Sequence, residues 1–330
     1  MNTNHAEIEY LRSIIFKNLD PLINSDYCLL DVPNHKNIGD NLIWAGELAY
    51  LNRLPFKMKY TSNLFLFEER RINKGDIILL NGGGNFGDLY RVIQEFRIKV
   101  ISSFPMNRIV IFPVTAQYID KGILARDVEV FQSHPDLTIC ARDKMTYDFL
   151  KLNFPFNNIL LIPDMAFCLS FNPVVAKGSS KKRILYLKRT DGEFNKDTQE
   201  LGLIAEIKKA GYHLDIQDWP TFNKGKLQSL LGEKLYGIHR RIARMLLNLP
   251  ILNELVDPRY GLDRSRTMDT YVELGRCFLE RYDEIYTTRL HVYILSILLD
   301  KKVTIIDNSY GKNRGLYETW MKGFKNSFIR

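Results

Sequence analysis

The stretch DIILLNGGGNFGD, residues 76–88, joins a run of aliphatic residues to a run of glycines. A short, continuous apolar run that stops at glycine is typical of a strand buried inside a parallel sheet. Glycines after such a strand let the backbone approach a ligand closely, with amide groups directed at its oxygen atoms. The stretch therefore predicts an α/β fold with a ligand-binding loop at the carboxyl end of this strand.

The glycine segment does not match the two common nucleotide-binding motifs. No Lys-Ser or Lys-Thr pair follows the glycines, as a P-loop requires, and their spacing differs from the dinucleotide-binding fingerprint. Glycines clustered this densely lose much chain entropy on folding. We therefore interpret them as a loop that contacts a ligand, in preference to a purely structural turn. The candidate binding residues of this segment are Gly82, Gly83, Gly84, Asn85 and Asp88.

The same alternation of apolar strands and amphipathic helices continues along the chain. Strands are predicted at 28–32, 76–81, 108–115, 137–143, 158–164, 183–188, 212–216, 284–288 and 302–307. Helices are predicted at 42–51, 91–104, 198–210 and 291–299. This order predicts an α/β protein of two Rossmann-like, doubly wound units.

The length of 330 residues favours two domains. A polar, lysine-rich stretch at 176–182 is the candidate linker. We predict an N-terminal Rossmann-like domain at 1–175, a C-terminal one at 183–310, and a C-terminal helix at 311–330 that packs back on the core. Doubly wound sheets bind ligands beyond the carboxyl ends of their strands, so we expect a site in the cleft between the domains.

Composition and charge narrow the class of partner. The chain carries 46 lysines and arginines against 38 aspartates and glutamates, a formal net charge of +8 that favours an anionic ligand or surface. Nucleic acid is not expected, because no basic run is interleaved with stacking aromatic residues. Neither a membrane-spanning run nor a signal peptide is expected, and four widely spaced cysteines predict no metal site. We therefore expect a cytoplasmic protein.

The segment NHKNIGDN, residues 34–41, lies between a predicted strand and a predicted helix. Asparagine and glycine tolerate the tight turn expected here, and Asp40 is well placed to cap the following helix. The amides of that helix N-terminus would also suit an anion or a ligand hydroxyl. Asn37 and Asp40 are therefore candidates both for a structural turn and for ligand contact.

The second half places cationic side chains after its strands. Arg189 follows the first predicted strand of the second half, where it is a candidate contact for a carboxylate or phosphate. The alternative interpretation of this segment is a solvent-exposed turn. Arg289 and His291 lie two residues apart at a strand–helix junction, which puts a permanent anion clamp beside a group that titrates near neutrality. Ser309 and Lys312 follow the last strand, where Lys312 is a further candidate phosphate contact. This pattern is typical of a site for a small anion with acid–base chemistry.

Taken together and in order, these motifs resemble the polysaccharide pyruvyl transferase family. The matching segments are NHKNIGDNL (34–42), LLNGGGNFGDLY (79–90), IFPVTAQ (111–117), LIPDMAF (161–167), YLKRTDGE (186–193), TTRLHVYILSILLDKKV (287–303) and IDNSYGK (306–312). Each segment alone is a weak signal, but their joint order is fairly specific. The region from about 218 to 269 matches nothing in the family pattern, and we expect it to determine the choice of acceptor.

The resemblance implies a GT-B-like pair of domains and phosphoenolpyruvate as the donor; since no step of the implied reaction demands a metal, we expect neither a metal nor a cofactor. It also implies a product in which pyruvate forms a cyclic ketal across two hydroxyls of a cell-surface polysaccharide precursor, such as an exopolysaccharide or capsule. The acceptor would often be lipid-linked at the cytoplasmic face of the membrane. By this similarity Arg289 and His291 form the catalytic pair, and Arg189 contacts the donor.

The chemistry of that reaction is consistent with these residues, but it leaves alternatives open. Arg189, Arg289 and Lys312 would hold the carboxylate and phosphate of the donor, and His291 would protonate its methylene carbon. The base that deprotonates the sugar could be Asp40, Asp88 or Asp191. The alternative functions are a GT-B-type glycosyltransferase that uses a nucleotide sugar and a non-catalytic protein that binds a glycan or a lipid diphosphate.

The stretch 236–256 is a candidate for membrane contact. It places Arg240, Arg241 and Arg244 beside several large apolar residues, which is the composition of an interfacial amphipathic helix. The alternative is a basic helix that packs on its own domain. We therefore expect either a peripheral contact with the inner face of the membrane or a basic helix that packs on its own domain.

Overall fold

The computed structural model describes residues 4–172, 182–188, 198–220, 226–249, 252–262, 267–307 and 311–330. Two parallel sheets form its framework. The strands of the first sheet are β1 Tyr27–Leu30, β2 Met58–Ser62, β3 Ile77–Leu80, β4 Gly83–Gly87, β5 Ile109–Gln117, β6 Leu137–Ala141 and β7 Asn158–Leu161. Those of the second are β8 Arg183–Leu187, β9 His213–Gln217, β10 Glu284–Thr287, β11 Lys302–Ile305 and β12 Ser327–Ile329.

The two sheets share one pattern of strand order. The first runs β2-β1-β3-β5-β6-β7, with β4 pairing with β5, and the second runs β12-β11-β10-β8-β9. In each sheet the order reverses between the first and third strands, namely between β1 and β3 and between β8 and β10. Such a reversal opens a crevice at the carboxyl ends of those strands. The observed topology is therefore mixed α/β with Rossmann-like parallel sheets, as predicted.

Helices cover the sheets. The α-helices are α1 His5–Leu19, α2 Ile38–Leu51, α3 Arg91–Ser103, α4 Lys121–Gln132, α5 Lys144–Asn153, α6 Thr198–Lys209, α7 Lys226–Leu247, α8 Met268–Leu279, α9 Leu290–Leu298 and α10 Lys312–Leu316. The four helices predicted from apolar spacing are confirmed to within a few residues. Among the described helices, none is both long and apolar enough to cross a membrane.

A continuous apolar core connects the two sheets. It contains Leu29 and Val110 from the first sheet and Leu185 and Ile285 from the second, all fully buried. Helices α2 and α8 cross between the sheets at Gly275, where an added Cβ would lie 2.7 Å from Ile38 Cγ2. This close approach explains why a glycine stands in the middle of α8. A second core fills the opposite face of the first sheet.

The C-terminal segment differs from its prediction as one helix. After α10 the chain forms a turn of π-helix, Tyr317–Met321, and then adds β12 to the edge of the second sheet beside β11. The prediction of a helix up to residue 330 is wrong for these last residues, because β11 offers an unpaired edge. The candidate linker at 176–182 lies outside the described residues except for Lys182.

Candidate active site

A cavity of about 320 Å³ lies where the carboxyl ends of strands from both sheets face each other. This volume is at the lower end of the range for small-molecule sites. Its position at the two strand-order reversals agrees with the general rule for ligand binding in such sheets. The lining residues are His35, Asn37, Gly39, Asp40, Gly84, Asn85, Tyr90, Ile93, Arg142, Trp219, Arg289, Leu290, His291 and Asn313.

His291 lies in the first turn of α9, and its side chain is 14% exposed. Its Nε2 atom is 3.4 Å from Oδ2 of Asp164. The Nδ1 atom faces the start of α2, where a Cβ added to Gly39 would lie only 2.6 Å away. Glycine at position 39 therefore makes the room that the imidazole occupies.

Asp164 is a fully buried carboxylate that follows β7. Besides His291, it pairs with Nη1 of Arg142 at 3.0 Å and accepts the backbone N–H of Ala166 at 3.0 Å. Burial opposes its ionised form, but the hydrogen bond from His291 and the charges of His291 and Arg142 outweigh burial and hold the pKa of Asp164 far below its usual value. Asp164 therefore stays ionised near neutral pH and can stabilise a protonated His291.

Arg289 is the residue that precedes α9, and it is held in a fixed orientation. Its Nε and Nη2 atoms donate to the two carboxylate oxygens of Asp218 at 2.5 and 2.6 Å. Both side chains are largely buried, at 16% and 15% exposure. A bidentate pair of this kind restricts the planar guanidinium to one geometry at the cavity wall.

The N-terminus of α2 forms the opposite wall. The Asn37 side chain accepts the N–H of Gly39 at 2.9 Å and so caps the helix, while Asn37 also lines the cavity. Asp40 lines the cavity as well, with a carboxylate oxygen 3.5 Å from Nε2 of His35. The prediction that Asp40 caps the helix is wrong, because α2 already begins at Ile38 and Asp40 lies within its first turn, so the cap is Asn37. The prediction of ligand contact remains compatible with the structure, since both residues line the cavity.

The predicted glycine loop is itself a strand, β4, which pairs with β5. A Cβ on Gly82 would lie 2.6 Å from the carbonyl oxygen of Pro113, and one on Gly87 would lie 1.8 Å from that of Gln117. Gly87 also has a φ of +121°, which side-chain-bearing residues rarely adopt. Several of these glycines are thus required by the close approach of two backbones.

Only part of the glycine segment reaches the cavity. Gly84 and Asn85 line it, whereas Gly82 and Gly83 are buried and are not among the lining residues. The buried guanidinium of Arg97 donates to the backbone oxygen of Asn85 at 3.0 Å and to its side-chain oxygen at 2.7 Å. Arg97 therefore fixes the orientation of Asn85 at the cavity wall.

Asp88 is not brought to the cavity. One of its carboxylate oxygens accepts the backbone N–H groups of Ile119 and Asp120, each at 2.7 Å, and so holds the turn after β5. Of the three candidate bases, Asp40 lines the cavity, and Asp191 lies outside the described residues.

Three of the predicted donor contacts cannot be placed. Arg189 and Ser309 lie outside the described residues, and for Lys312 only the backbone is described. The next residue, Asn313, lines the cavity and donates its amide to the carbonyls of Thr288 at 3.1 Å and Ile306 at 2.9 Å. It thereby ties the ends of β10 and β11 together beside the cavity.

Sequence reasoning missed three charged residues that organise the site. Arg142, Asp164 and Asp218 were not singled out, although each directly follows, or lies within a few residues of, the carboxyl end of a strand. That position in a parallel sheet is the signal that would have identified them. Trp219, which also lines the cavity, was missed for the same reason.

A family model described as polysaccharide pyruvyl transferase matches residues 37–310. This range contains every residue of the cavity lining except His35 and Asn313. The chain belongs to the polysaccharide pyruvyl transferase family.

Members and relatives of the family match most of the chain. The Bacillus subtilis protein named "Putative pyruvyl transferase EpsO" is 34% identical over 302 residues, which cover 91% of this chain and 86% of that protein. Pyruvyl transferase 1 of Schizosaccharomyces pombe is 26% identical over 308 residues, or 89% of this chain and 69% of that protein. A functionally uncharacterised Klebsiella pneumoniae protein of known crystal structure shares the fold, with a TM-score of 0.60, 19% identity, and coverage of 97% and 98% of the two chains.

Proposed function

We propose that this pyruvyl transferase moves pyruvate from phosphoenolpyruvate to a sugar of a cell-surface polysaccharide precursor, as a cyclic ketal, with release of inorganic phosphate. Family membership supports the transferase class. The observation that carries the proposal is the cavity in which His291, backed by a buried carboxylate, and Arg289 meet beyond the strands of both sheets. We further propose that the sheets form a GT-B-like pair, with domains at 1–175 and 183–310.

The donor would bind on the side of the second sheet. Phosphoenolpyruvate places a carboxylate and a phosphate on one small enol, so its site requires fixed cations. Arg289 at the cavity wall is suited to this role, because Asp218 already holds its guanidinium in place. We assign the remaining donor contacts to Arg189, Ser309 and Lys312.

His291 would act as the acid in the first step. Its Nε2 is engaged by Asp164, so the proton would be exchanged at Nδ1, beside Gly39. Transfer of that proton to the methylene carbon makes a methyl group, while a sugar hydroxyl oxygen forms a bond to the adjacent carbon. Asp164, kept ionised, would stabilise the protonated imidazole that this step consumes.

The acceptor would lie against the N-terminus of α2 and the strand β4. Asp40 is placed to take the proton of the attacking hydroxyl, with Asn37, Gly84 and Asn85 as contacts for the sugar. In the second step the bond from the former enol carbon to the phosphate oxygen breaks, and the second hydroxyl oxygen takes its place. One hydroxyl proton then replaces the one given to the methyl group, and the other leaves with inorganic phosphate.

The first step is an addition of the sugar O–H across the enol double bond and the second is a substitution of phosphate at the same carbon, so the two steps require no redox cofactor. We propose that the acceptor is a glycan, lipid-linked at the cytoplasmic face of the membrane, and that the protein acts there as a peripheral enzyme. The excess of positive charge, +8, is compatible with a doubly anionic donor and an anionic membrane surface.

Phosphate release is the direct test of this function. The purified full chain would be incubated with phosphoenolpyruvate and a panel of lipid-linked sugars, and NMR would identify a pyruvate ketal in the product. We expect inorganic phosphate only when donor and acceptor are both present. Turnover of nucleotide sugars in place of phosphoenolpyruvate would overturn the proposal in favour of a glycosyltransferase, and the absence of any turnover would favour a binding protein.

We expect the Asp164→Asn change to lower kcat roughly 10- to 100-fold, with little change in the KM for phosphoenolpyruvate. Losing a hydrogen bond between charged groups costs about 1.5–3 kcal/mol, and here the cost falls on the protonated form of His291. Because the neutral amide stabilises the imidazolium less, the alkaline limb of the pH profile of kcat should move to lower pH.

The pH profile separates this positioning role from a role in stability alone. A partly unfolded variant loses amplitude at every pH, whereas an acid whose protonated form is less stabilised moves the limb itself to lower pH. Asp164→Glu should restore part of kcat, and Asp148→Asn on the exposed face of α5 is the matched control. An unshifted pH limb in Asp164→Asn would contradict the assignment.

A further inference from the structure

Helix α7 carries a stripe of large apolar side chains on its solvent face. Ile238, Ile242, Met245 and Leu249 are 50%, 39%, 59% and 42% exposed. The spacing of four and three residues places Ile238, Ile242 and Met245 on one side of α7, and Leu249 follows in the turn after the helix ends at Leu247. We call these four residues the α7 stripe.

The opposite face of α7 fixes this orientation. Ala243 and Leu247 are buried in a small core with Leu66 and Val256. The guanidinium of Arg240 lies over the ring of Phe65, 3.8 Å from its centroid. The α7 stripe therefore points away from the protein's own core, and this part of α7 is held by contacts that leave the stripe exposed.

The exposed charged residues of this part of α7 are arginines. His239, Arg241 and Arg244 are exposed, and residues 237–249 include no aspartate or glutamate. A second copy docked symmetrically on this face would bring arginine against arginine, which is unfavourable. The face instead complements a surface that is both apolar and anionic, which is the character of an anionic lipid bilayer.

The position of α7 relates this face to the cavity. The helix packs on the segment after β2, where the Arg70 side chain donates to the backbone oxygen of Leu247 at 3.2 Å. This segment lies at the carboxyl edge of the first sheet, the same edge that lines the cavity. Helix α7 therefore packs at the same edge of the first sheet as the cavity.

We propose that the α7 stripe, with Arg241 and Arg244, binds the surface of an anionic lipid bilayer. The helix lies in the interface, with the four apolar side chains of the stripe among the lipid headgroups and with Arg241 and Arg244 beside the phosphates. This inference rests on the peripheral membrane location in the proposed function, and it names the surface that contacts the membrane. Its test uses neither donor nor acceptor, so failure of membrane binding can be distinguished from failure of the proposed transferase activity.

Vesicle sedimentation tests this surface. The full chain would be spun down with vesicles of phosphatidylcholine plus phosphatidylglycerol and with vesicles of phosphatidylcholine alone. We expect binding to the anionic vesicles only, weakened by salt. Arg241→Gln with Arg244→Gln should weaken that binding about 30-fold, since each basic residue near the surface contributes about fivefold. The double change Ile242→Ser with Met245→Ser leaves the net charge unchanged, and it should also weaken binding to the anionic vesicles, because it removes apolar contact with the lipid.

Matched controls lie on exposed helices elsewhere. Lys121→Gln with Arg126→Gln on α4 removes the same charge, and Leu152→Ser, at a residue that is 80% exposed, removes a comparable apolar group. Each should bind like the wild type. Equal binding of the Arg241/Arg244 variant and the wild type, equal binding to neutral vesicles, or no sedimentation with either kind would overturn the proposal. So would a change in oligomeric state when the α7 stripe is altered, because it would assign the face to another protein copy.

Discussion

Replacing His291 with glutamine is expected to lower kcat about a thousandfold while leaving the Kd for phosphoenolpyruvate nearly unchanged. Glutamine keeps a polar side chain of similar length next to Asp164, but its amide cannot supply a proton at neutral pH. General acid–base catalysis typically contributes 10²- to 10⁴-fold, and the transfer to the methylene carbon is the step that requires it. The loss should therefore appear in turnover and not in donor binding.

Two measurements on one preparation decide this prediction. Phosphate release gives kcat, and titration calorimetry gives the Kd for phosphoenolpyruvate in the absence of acceptor. His213→Gln is the matched control, because His213 is an exposed residue of β9 that pairs with Asp215 away from the cavity. If His291→Gln raised the Kd for phosphoenolpyruvate many-fold while kcat at saturating donor stayed near that of the wild type, His291 would be a ligand contact and not the acid.

The Gly46→Ala change is expected to destabilise the protein by about 3 kcal/mol or more. An added Cβ at this position in α2 would lie 2.0 Å from the carbonyl oxygen of Met165, 2.5 Å from its carbonyl carbon and 2.8 Å from the nitrogen of Ala166. All three are backbone atoms, so no side-chain rotation can relieve the clash. The turn that would have to move, Met165–Cys168, is the one that Asp164 caps.

Thermal unfolding measures this effect directly. Gly46→Ala should melt well below the wild type, and the fraction that remains folded should also have a lower kcat, because Asp164 moves with the turn. Gly237→Ala is the control, since a Cβ there meets nothing within 4 Å and alanine is the better helix former. An unchanged melting temperature in Gly46→Ala would mean that α2 does not pack against this turn as described.

The sequence predicted nine of the twelve described strands, all except β2, β4 and β12, because a buried strand is a local pattern. Continuous apolar runs identified strands such as β3 and β6, and helical spacing identified α3 and α9, each to within a few residues. The strand β4 was not predicted, because glycine is depleted from strands and its presence here follows from contact with β5. The strand β12 depends likewise on the open edge of β11, which lies distant in the sequence.

Those site residues were predictable that lie shortly after a predicted strand, because that position alone indicates a ligand site in a parallel sheet. Arg289, His291, Asn37 and Asp40 were all expected at a ligand site, and all line the cavity. Their partners were not expected, because the contact that gives Asp164 its role joins it to a residue 127 positions away. Only the folded chain brings such pairs together, and no local pattern records them.

The packing of α2 against α8 has a consequence for how substrates enter. Ile38 sits on this seam, 2% exposed, within the apolar core that the two sheets share. Swinging the halves apart about a hinge would wet that seam, which opposes a wide opening motion. A wide separation of the two sheets would therefore carry the free-energy cost of exposing this apolar seam to water.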